Sequence, residues 1–401
     1  MARGEIFTAR IESIAAGGAG IARLEGKSVF IEFTAPGDLV KFGIVNEKKS
    51  WAEGELLEIL EPSPFRKKPE CGFYGLCGGC ALQHLDYEVQ IKAKTAILGD
   101  AFRRIGGLDP ALVPQPIKVH RSAPYEYRNR VQFHINNDTG DESGGKPGFK
   151  KRKSASIVPV DDCPVADPGI RKALKEGKFL TVSKKEKFNV YSRENTFLVE
   201  GGQEAGKVSI LGREMNINVK LFFQSNAGML ELLITDLMAV AQEADNNLPM
   251  ADIYSGIGTF ASFLNADSRG NKRFPRLDLV EENKASLDLA GENIPSGVNA
   301  NYYALTDTAW VKLMAKKNNA PFGFIVLDPP RNGLSAQLRQ WLAKKGPELA
   351  AYVSCDPATL ARDSRYLIEG GYTLKDLTMY DFYPQTAHIE SLAVFQRKSK
   401  K

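Results

Sequence analysis

No stretch of this 401-residue chain approaches the roughly 18 uninterrupted apolar residues of a membrane-spanning helix. The opening residues Met1-Ala2-Arg3-Gly4-Glu5-Ile6 contain no signal-peptide core, so the expectation is a cytoplasmic protein with no membrane partner. No internal repeat is present. A dominant charge is missing as well: 53 Lys and Arg against 48 Asp and Glu leave +5, too little on its own to establish a polyanionic partner. Two phosphate-binding signatures are absent. There is no Walker A sequence, and Gly256-Ile257-Gly258-Thr259-Phe260-Ala261 lacks the third glycine of the dinucleotide fingerprint. The five cysteines are odd in number, which argues against a disulfide framework and for metal or catalytic use.

What remains is a soluble, multidomain composition, 43% hydrophobic and 25% charged. Residues 1–60 carry five short β-rich runs, at 5–14, 18–24, 28–33, 39–47 and 51–60, broken by Gly17-Gly18, Glu25-Gly26 and Pro36-Gly37. That density predicts an OB-like β-barrel, a fold that often holds single-stranded nucleic acid. A linker follows with Pro62, Pro64, Pro69 and the basic trio Arg66-Lys67-Lys68. Residues 61–220 read as an α+β central domain with a cysteine group, a helix over 86–105, and a polar hairpin tip or loop over 136–146. Basic residues cluster here, in Lys150-Lys151-Arg152-Lys153 and around Tyr125 and Tyr127.

From 221 to 401 the pattern alternates. Short apolar runs at 251–254, 277–280, 301–304, 324–327 and 351–354 are each followed by a loop and a helical stretch, which predicts a doubly wound, Rossmann-like α/β sheet. Runs at 373–380 and 392–396 have no helix between them and predict an antiparallel pair at one edge. This is the strand count of a class I methyltransferase. In such sheets ligands bind at the carboxyl ends of the strands. There stand Asp252-Ile253-Tyr254-Ser255-Gly256-Ile257-Gly258, then Glu281, positioned to accept ribose hydroxyls, then Asp328-Pro329-Pro330. An acidic rim without a phosphate-cradling lysine suits a cationic, phosphate-free nucleoside cofactor, namely S-adenosylmethionine.

Cys355 ends the fifth run in Ser354-Cys355-Asp356-Pro357, where Asp356 reads as an N-cap and Pro357 as the first helical residue. A helix start favours the thiolate, which makes Cys355 a candidate nucleophile. Glu390, in His388-Ile389-Glu390-Ser391 before the last run, is a candidate base.

Taken together, these segments resemble the RNA uracil-5-methyltransferase family over nearly the whole chain. Residues 1–60 look like its TRAM domain through Gly17-Gly18-Ala19-Gly20-Ile21-Ala22 and Ala35-Pro36-Gly37-Asp38. Phe223-Gln224-Ser225-Asn226 resembles the start of the family's catalytic domain, and Ser354 through Asp363 its nucleophile signature. The resemblance implies that Gln224, Tyr254, Glu281 and Asp328 contact S-adenosylmethionine. It also implies that Cys355 adds to carbon 6 of uracil and that Glu390 removes the carbon-5 proton. Asp328-Pro329-Pro330-Arg331 is similar, too, to the loop of exocyclic-amine methyltransferases, but Arg331 stands where those enzymes place a stacking aromatic.

Cys71, Cys77, Cys80 and Cys163 offer four soft ligands, suited to zinc or an iron–sulfur cluster. The Cys-x2-Cys pair alone favours zinc. The five-residue first gap and the terminal Cys163-Pro164 fit a [4Fe–4S] cluster better, and the resemblance implies such a cluster in rRNA-directed members. RNA is thus the expected partner, with 23S rRNA favoured over tRNA and no obligate protein partner evident. The alternatives are a tRNA-directed enzyme of the same family and an RNA-binding assembly factor without catalysis.

Overall fold

A computed structural model describes residues 5–135, 145–179, 186–265, 273–317 and 321–397. Most of the expected polar loop at 136–146 lies outside the described residues. Contacts divide the chain into two units, each built from separate stretches: Met1–Ile97, Ala123–Phe188 and Tyr383–His388 in the first, Leu98–Ser122, Asn189–Phe382 and Ile389–Lys401 in the second.

The first unit begins with β1 (Ile6–Arg10), β2 (Ser13–Ile14), β3 (Gly20–Leu24), β4 (Lys27–Ile31), β5 (Leu39–Glu47) and β6 (Trp51–Glu61), in the order β1-β5-β6-β4-β3-β2. The run expected at 5–14 is two strands rather than one. At its middle the Ile11 N–H donates to the Asp38 carbonyl and the Glu12 N–H to the Ile21 carbonyl, so the chain changes partner from β5 to β3. Alternation along β5 turns Val40, Phe42 and Ile44 inward, where they pack with Val29, Ile31 and Ala52. Burial of these side chains, at about 1.5–3 kcal/mol for each large one, holds the sheet together. Gly54 faces that core, and a Cβ there would come within 2.9 Å of Phe42.

Asp38 fixes the turn before β5 to the linker after β6. Its buried carboxylate accepts the N–H groups of Ala35 (2.6 Å) and Ser63 (2.8 Å) and a forked contact from Arg66. Breaking a buried pair of this kind costs about 3–5 kcal/mol. The helix expected at 86–105 is α1 (Tyr87–Arg104), with Arg103 and Arg104 in its last turn, where cations suit the dipole. After β7 (Lys118–His120), the strands β8 (Arg130–Ile135), β9 (Pro147–Lys150) and β10 (Ile157–Pro159) pair antiparallel, and α2 (Pro168–Lys175) is capped by Asp167.

Two hairpins lead into the second unit, β11 (Lys187–Arg193) with β12 (Thr196–Val199) and β13 (Ala205–Ile210) with β14 (Arg213–Asn218). Helix α3 (Ala227–Gln242) follows, and then strand and helix alternate. The strands are β15 (Met250–Ile253), β16 (Leu277–Val280), β17 (Ala300–Tyr303), β18 (Phe324–Leu327), β19 (Leu349–Ser354), β20 (Tyr372–Tyr380) and β21 (Glu390–Arg397). The helices are α4 (Thr259–Leu264), α5 (Lys284–Asn293), α6 (Asp307–Lys317), α7 (Ala336–Lys345) and α8 (Pro357–Glu369).

The sheet order is β17-β16-β15-β18-β19-β21-β20-β7. Every residue of β15, β16, β18 and β19 is buried, the mark of a parallel sheet covered on both faces. The strand order reverses between β15 and β18, which makes their carboxyl ends the place for a ligand. The antiparallel pair expected at an edge is not outermost: β7 runs parallel beside β20 and covers it. Lys118-Val119-His120 is too short to carry a periodic signal, so nothing in the sequence marks it as a strand.

Candidate active site

Three strand ends meet in the second unit. Strands β18 and β19 run parallel with Leu327 opposite Tyr352, and β21 returns antiparallel with Ser391 opposite Ser354. The residues just beyond these pairs are Asp328, Cys355 and Glu390. The sheet therefore brings together side chains that lie far apart in sequence. Asp356 caps α8 by accepting the Thr359 N–H at 2.8 Å, with Pro357 in the first turn as expected.

The electrostatics of this corner are set first by burial and then by shared negative charge. Burial pushes the Asp328 carboxyl up to about 7. The Cys355 thiol is pushed up to about 11, first by burial, then by the Glu390 and Asp328 carboxyls, with Arg331 pulling the other way. Glu390, 4% exposed, is raised well above the usual carboxylate range by burial and then by Asp328, again with Arg331 opposing. The expectation that the helix start would favour the thiolate is thus corrected: in the resting site, burial and two carboxylates outweigh the helix end. His388 is exposed, set edge-on to Tyr383 with the ring centres 5.7 Å apart.

A second group forms at the glycine turn after β15. Tyr254, Gly256 and Gly258 all have positive φ, at 67°, 54° and 77°. A Cβ on Gly256 would meet nothing within 4 Å, so open space lies in front of the turn. A Cβ on Gly258 would come within 2.9 Å of Ala290 on α5. The Glu281 carboxylate accepts the N–H groups of Gly256 (3.0 Å) and Asn283 (2.7 Å), which fixes it beside that space. Asp252 is buried and pushed up to about 8, by burial first and then by Asp328 and Glu281. One of its oxygens accepts the Ala261 N–H at 3.0 Å; the other is buried without a partner, as is the Ser255 hydroxyl.

Sequence reasoning overlooked Asp307. It accepts the Tyr254 hydroxyl at 2.7 Å and the Ser335 N–H at 3.2 Å, and so orients the Tyr254 ring. Its signal was available, since it opens α6 a short loop beyond the end of β17, on the side of the sheet where Glu281 follows β16. Gln224 is buried in the segment entering α3, whose cap Asn226 also donates to the Phe382 carbonyl at 3.0 Å. No hydrogen bond or ion pair among the described residues ties Gln224 to either acidic group.

In the first unit, Cys71, Cys77, Cys80 and Cys163 lie within electrostatic reach of one another. Cys80 is pushed up to about 11 and Cys163 to about 12, by burial first and then by neighbouring sulfurs, with Arg128 opposing both. Among the described residues, no three His, Cys, Asp or Glu side chains stand already arranged around a metal position.

The family model described as tRNA (uracil-5-)-methyltransferase matches residues 192–398, and the TRAM domain model matches residues 2–57. An RNA methyltransferase of Treponema denticola is 32% identical, over 93% of this chain and 94% of that protein. A 23S rRNA (uracil(1939)-C(5))-methyltransferase of Legionella pneumophila is 30% identical over 97% of each. Among solved structures, the Pyrococcus abyssi tRNA (uracil-54, C5)-methyltransferase, in complex with S-adenosyl-L-homocysteine, shares the fold with a TM-score of 0.70 at 22% identity, covering 97% of this chain and 100% of that one.

A thiol held so high reacts only through its small thiolate fraction. Alkylation of Cys355 by iodoacetamide, followed at the peptide level in the resting protein, should accelerate about tenfold per pH unit from about pH 7 to 9. A rate already level by about pH 8 would contradict the acidic, buried setting described here.

Proposed function

The chain belongs to the tRNA (uracil-5-)-methyltransferase family, and from that premise we propose that it methylates carbon 5 of a uracil in RNA through a covalent adduct on Cys355. The observation that carries this reading is the meeting of Cys355, Glu390 and Asp328 at adjoining strand ends. S-adenosylmethionine supplies an electrophilic methyl on a cationic sulfonium. The residues fit such a cofactor. Open space lies before Gly256, Glu281 is held beside it for ribose hydroxyls, and among the described residues no lysine acts on the carboxylates of Asp252 and Asp328. In this reading Tyr254, Glu281, Asp328 and Gln224 line the cofactor's place.

The chemistry follows from the poor nucleophilicity of carbon 5. The Cys355 sulfur adds to carbon 6, which turns carbon 5 into an enolate-like nucleophile able to take the methyl group. As the carbon–sulfur bond forms, the thiolate charge passes to the uracil as an enolate; methyl transfer to carbon 5 consumes it, and Glu390 then ionises more readily. Glu390 then takes the carbon-5 proton, the C5–C6 double bond re-forms, and Cys355 leaves as the thiolate. A stacked base must be splayed out before it can reach the sulfur. The TRAM segment and the basic run Lys150-Lys151-Arg152-Lys153 offer surface for that RNA.

Near-full-length similarity to a 23S rRNA enzyme favours 23S rRNA as the substrate, with tRNA the second reading. The four cysteines of the first unit would hold a [4Fe–4S] cluster, a structural group in this reading. Burial and mutual repulsion raise their thiols, and a bound cationic metal group relieves that cost. Anaerobically purified protein should then be brown and carry iron with acid-labile sulfide. A colourless preparation with stoichiometric zinc would replace the cluster and leave the catalytic reading intact.

The covalent order is tested by two variants. Glu390→Gln should add to RNA and methylate, then stall, leaving a protein–RNA species that survives denaturing gels and carries the methyl label. Cys355→Ala should bind RNA without forming any such species. Near-normal methylation by Cys355→Ala would overturn the mechanism.

A further inference from the structure

The segment after Asp328 has no regular structure of its own, yet side chains hold its backbone closely. The Asn332 carbonyl accepts Arg362 at 2.9 Å, and the Leu334 carbonyl accepts Arg339 at 2.9 Å. The Leu334 N–H donates to Asp363 at 2.9 Å, and the Ser335 N–H donates to Asp307. At the centre is Asp363, fully buried on α8 two turns beyond the nucleophile. Its carboxylate also accepts the Tyr352 hydroxyl at 3.0 Å and the guanidinium groups of Arg339 and Arg362, each at 2.8 Å. One carboxylate thereby joins the strand that leads into Cys355, the helix that begins after it, and the loop that carries Arg331. Gly333 fits against this joint. Its φ is +70°, and a Cβ there would stand 2.5 Å from the Asp363 oxygen and 2.7 Å from Arg362.

We propose that Asp363 is a positioning residue: it holds residues 332–335 in place and so keeps the Arg331 guanidinium within electrostatic reach of Cys355 and Glu390. Arg331 is exposed and cannot hold its place by packing. Its neighbours on the C-terminal side are the ones gripped by Asp363, Arg362 and Arg339. The Asp363 clamp therefore sets how strongly a positive charge favours the Cys355 thiolate over the thiol. This inference rests on the covalent reading of Cys355.

The test uses the full chain and compares Arg331→Gln, which deletes the charge, with Gly333→Ala, which drives a methyl group into the clamp. The readout is the pH profile of Cys355 alkylation. Both variants should slow alkylation at about pH 8 by roughly threefold or more, as expected from loss of a nearby cation. The double variant should be no slower than the slower single one, because both changes remove the same charge. Methylation kcat should fall in each while the KM for S-adenosylmethionine stays within about twofold. Should Gly333→Ala not fold, Tyr352→Phe, which removes one donor to Asp363 and keeps the ring, takes its place with a smaller shift in the same direction. An unchanged alkylation profile in the clamp variants, whatever their thermal stability, would overturn the proposal, and so would additive slowing in the double variant. A wild-type chain that alkylates as described but never methylates RNA would instead refute the proposed function.

Discussion

Asp252, Asp328, Cys355 and Glu390 all stand at the carboxyl end of one sheet or at the strand returning beside it, and burial removes the water that would let them ionise together. Asp328 raises Asp252, Cys355 and Glu390, Glu390 raises Cys355 in turn, and the Arg331 guanidinium lowers both Cys355 and Glu390. Negative charge in this corner is therefore rationed. The site accommodates a cation readily, and it gains when an anionic thiolate is converted to a neutral thioether. A cationic methyl donor and a sulfur that forms and then breaks a covalent bond meet both conditions. The order of events follows as well. In the proposed mechanism Glu390 becomes a better base once methyl transfer has consumed the charge that Cys355 brought to the uracil.

The rest of the second unit serves this corner. The fully buried strands fix the separation of Asp328 from Cys355 through the β18–β19 register, and the antiparallel return of β21 delivers Glu390 from 35 residues further along the chain. Positive-φ residues at the β15 turn clear space beside Glu281, and Asp307 holds the Tyr254 ring. In the first unit a similar economy joins loops to strands. Asp38 satisfies two backbone N–H groups and Arg66 at once, and the Glu32 carboxylate grips Arg152 of the basic run.

Much of this was legible in the sequence, for identifiable reasons. The short, largely apolar runs of β15, β16 and β18, alternating with helical stretches, announce a parallel sheet, and an acidic residue at a strand end needs only the strand to be recognised. The Cys355-Asp356-Pro357 start of α8 reads directly because capping is local. What stayed hidden depends on distance in sequence. β7 has three residues and takes its place only by pairing with β20. The break between β1 and β2 is set by hydrogen bonds to Asp38 and Ile21. The helix start suggested a ready thiolate, but the dominant influences on Cys355 are burial and two carboxylates that the sheet alone brings near. Asp363 closes the segment from Ser354 that resembles the nucleophile signature, yet its joining role appears only once Tyr352, Leu334, Arg339 and Arg362 converge on it. The cysteine spacings pointed to soft ligands, and the structure places the four half-buried sulfurs within electrostatic reach of one another.

The chemistry at carbon 5 can be followed without altering the protein. RNA carrying tritium at carbon 5 of its uracils, incubated with the enzyme and S-adenosylmethionine, should release one tritium to water for each methyl group transferred, because in the proposed mechanism Glu390 removes that hydrogen before Cys355 leaves. Methyl transfer with the tritium retained would place the new methyl elsewhere on the RNA and contradict the covalent carbon-5 mechanism.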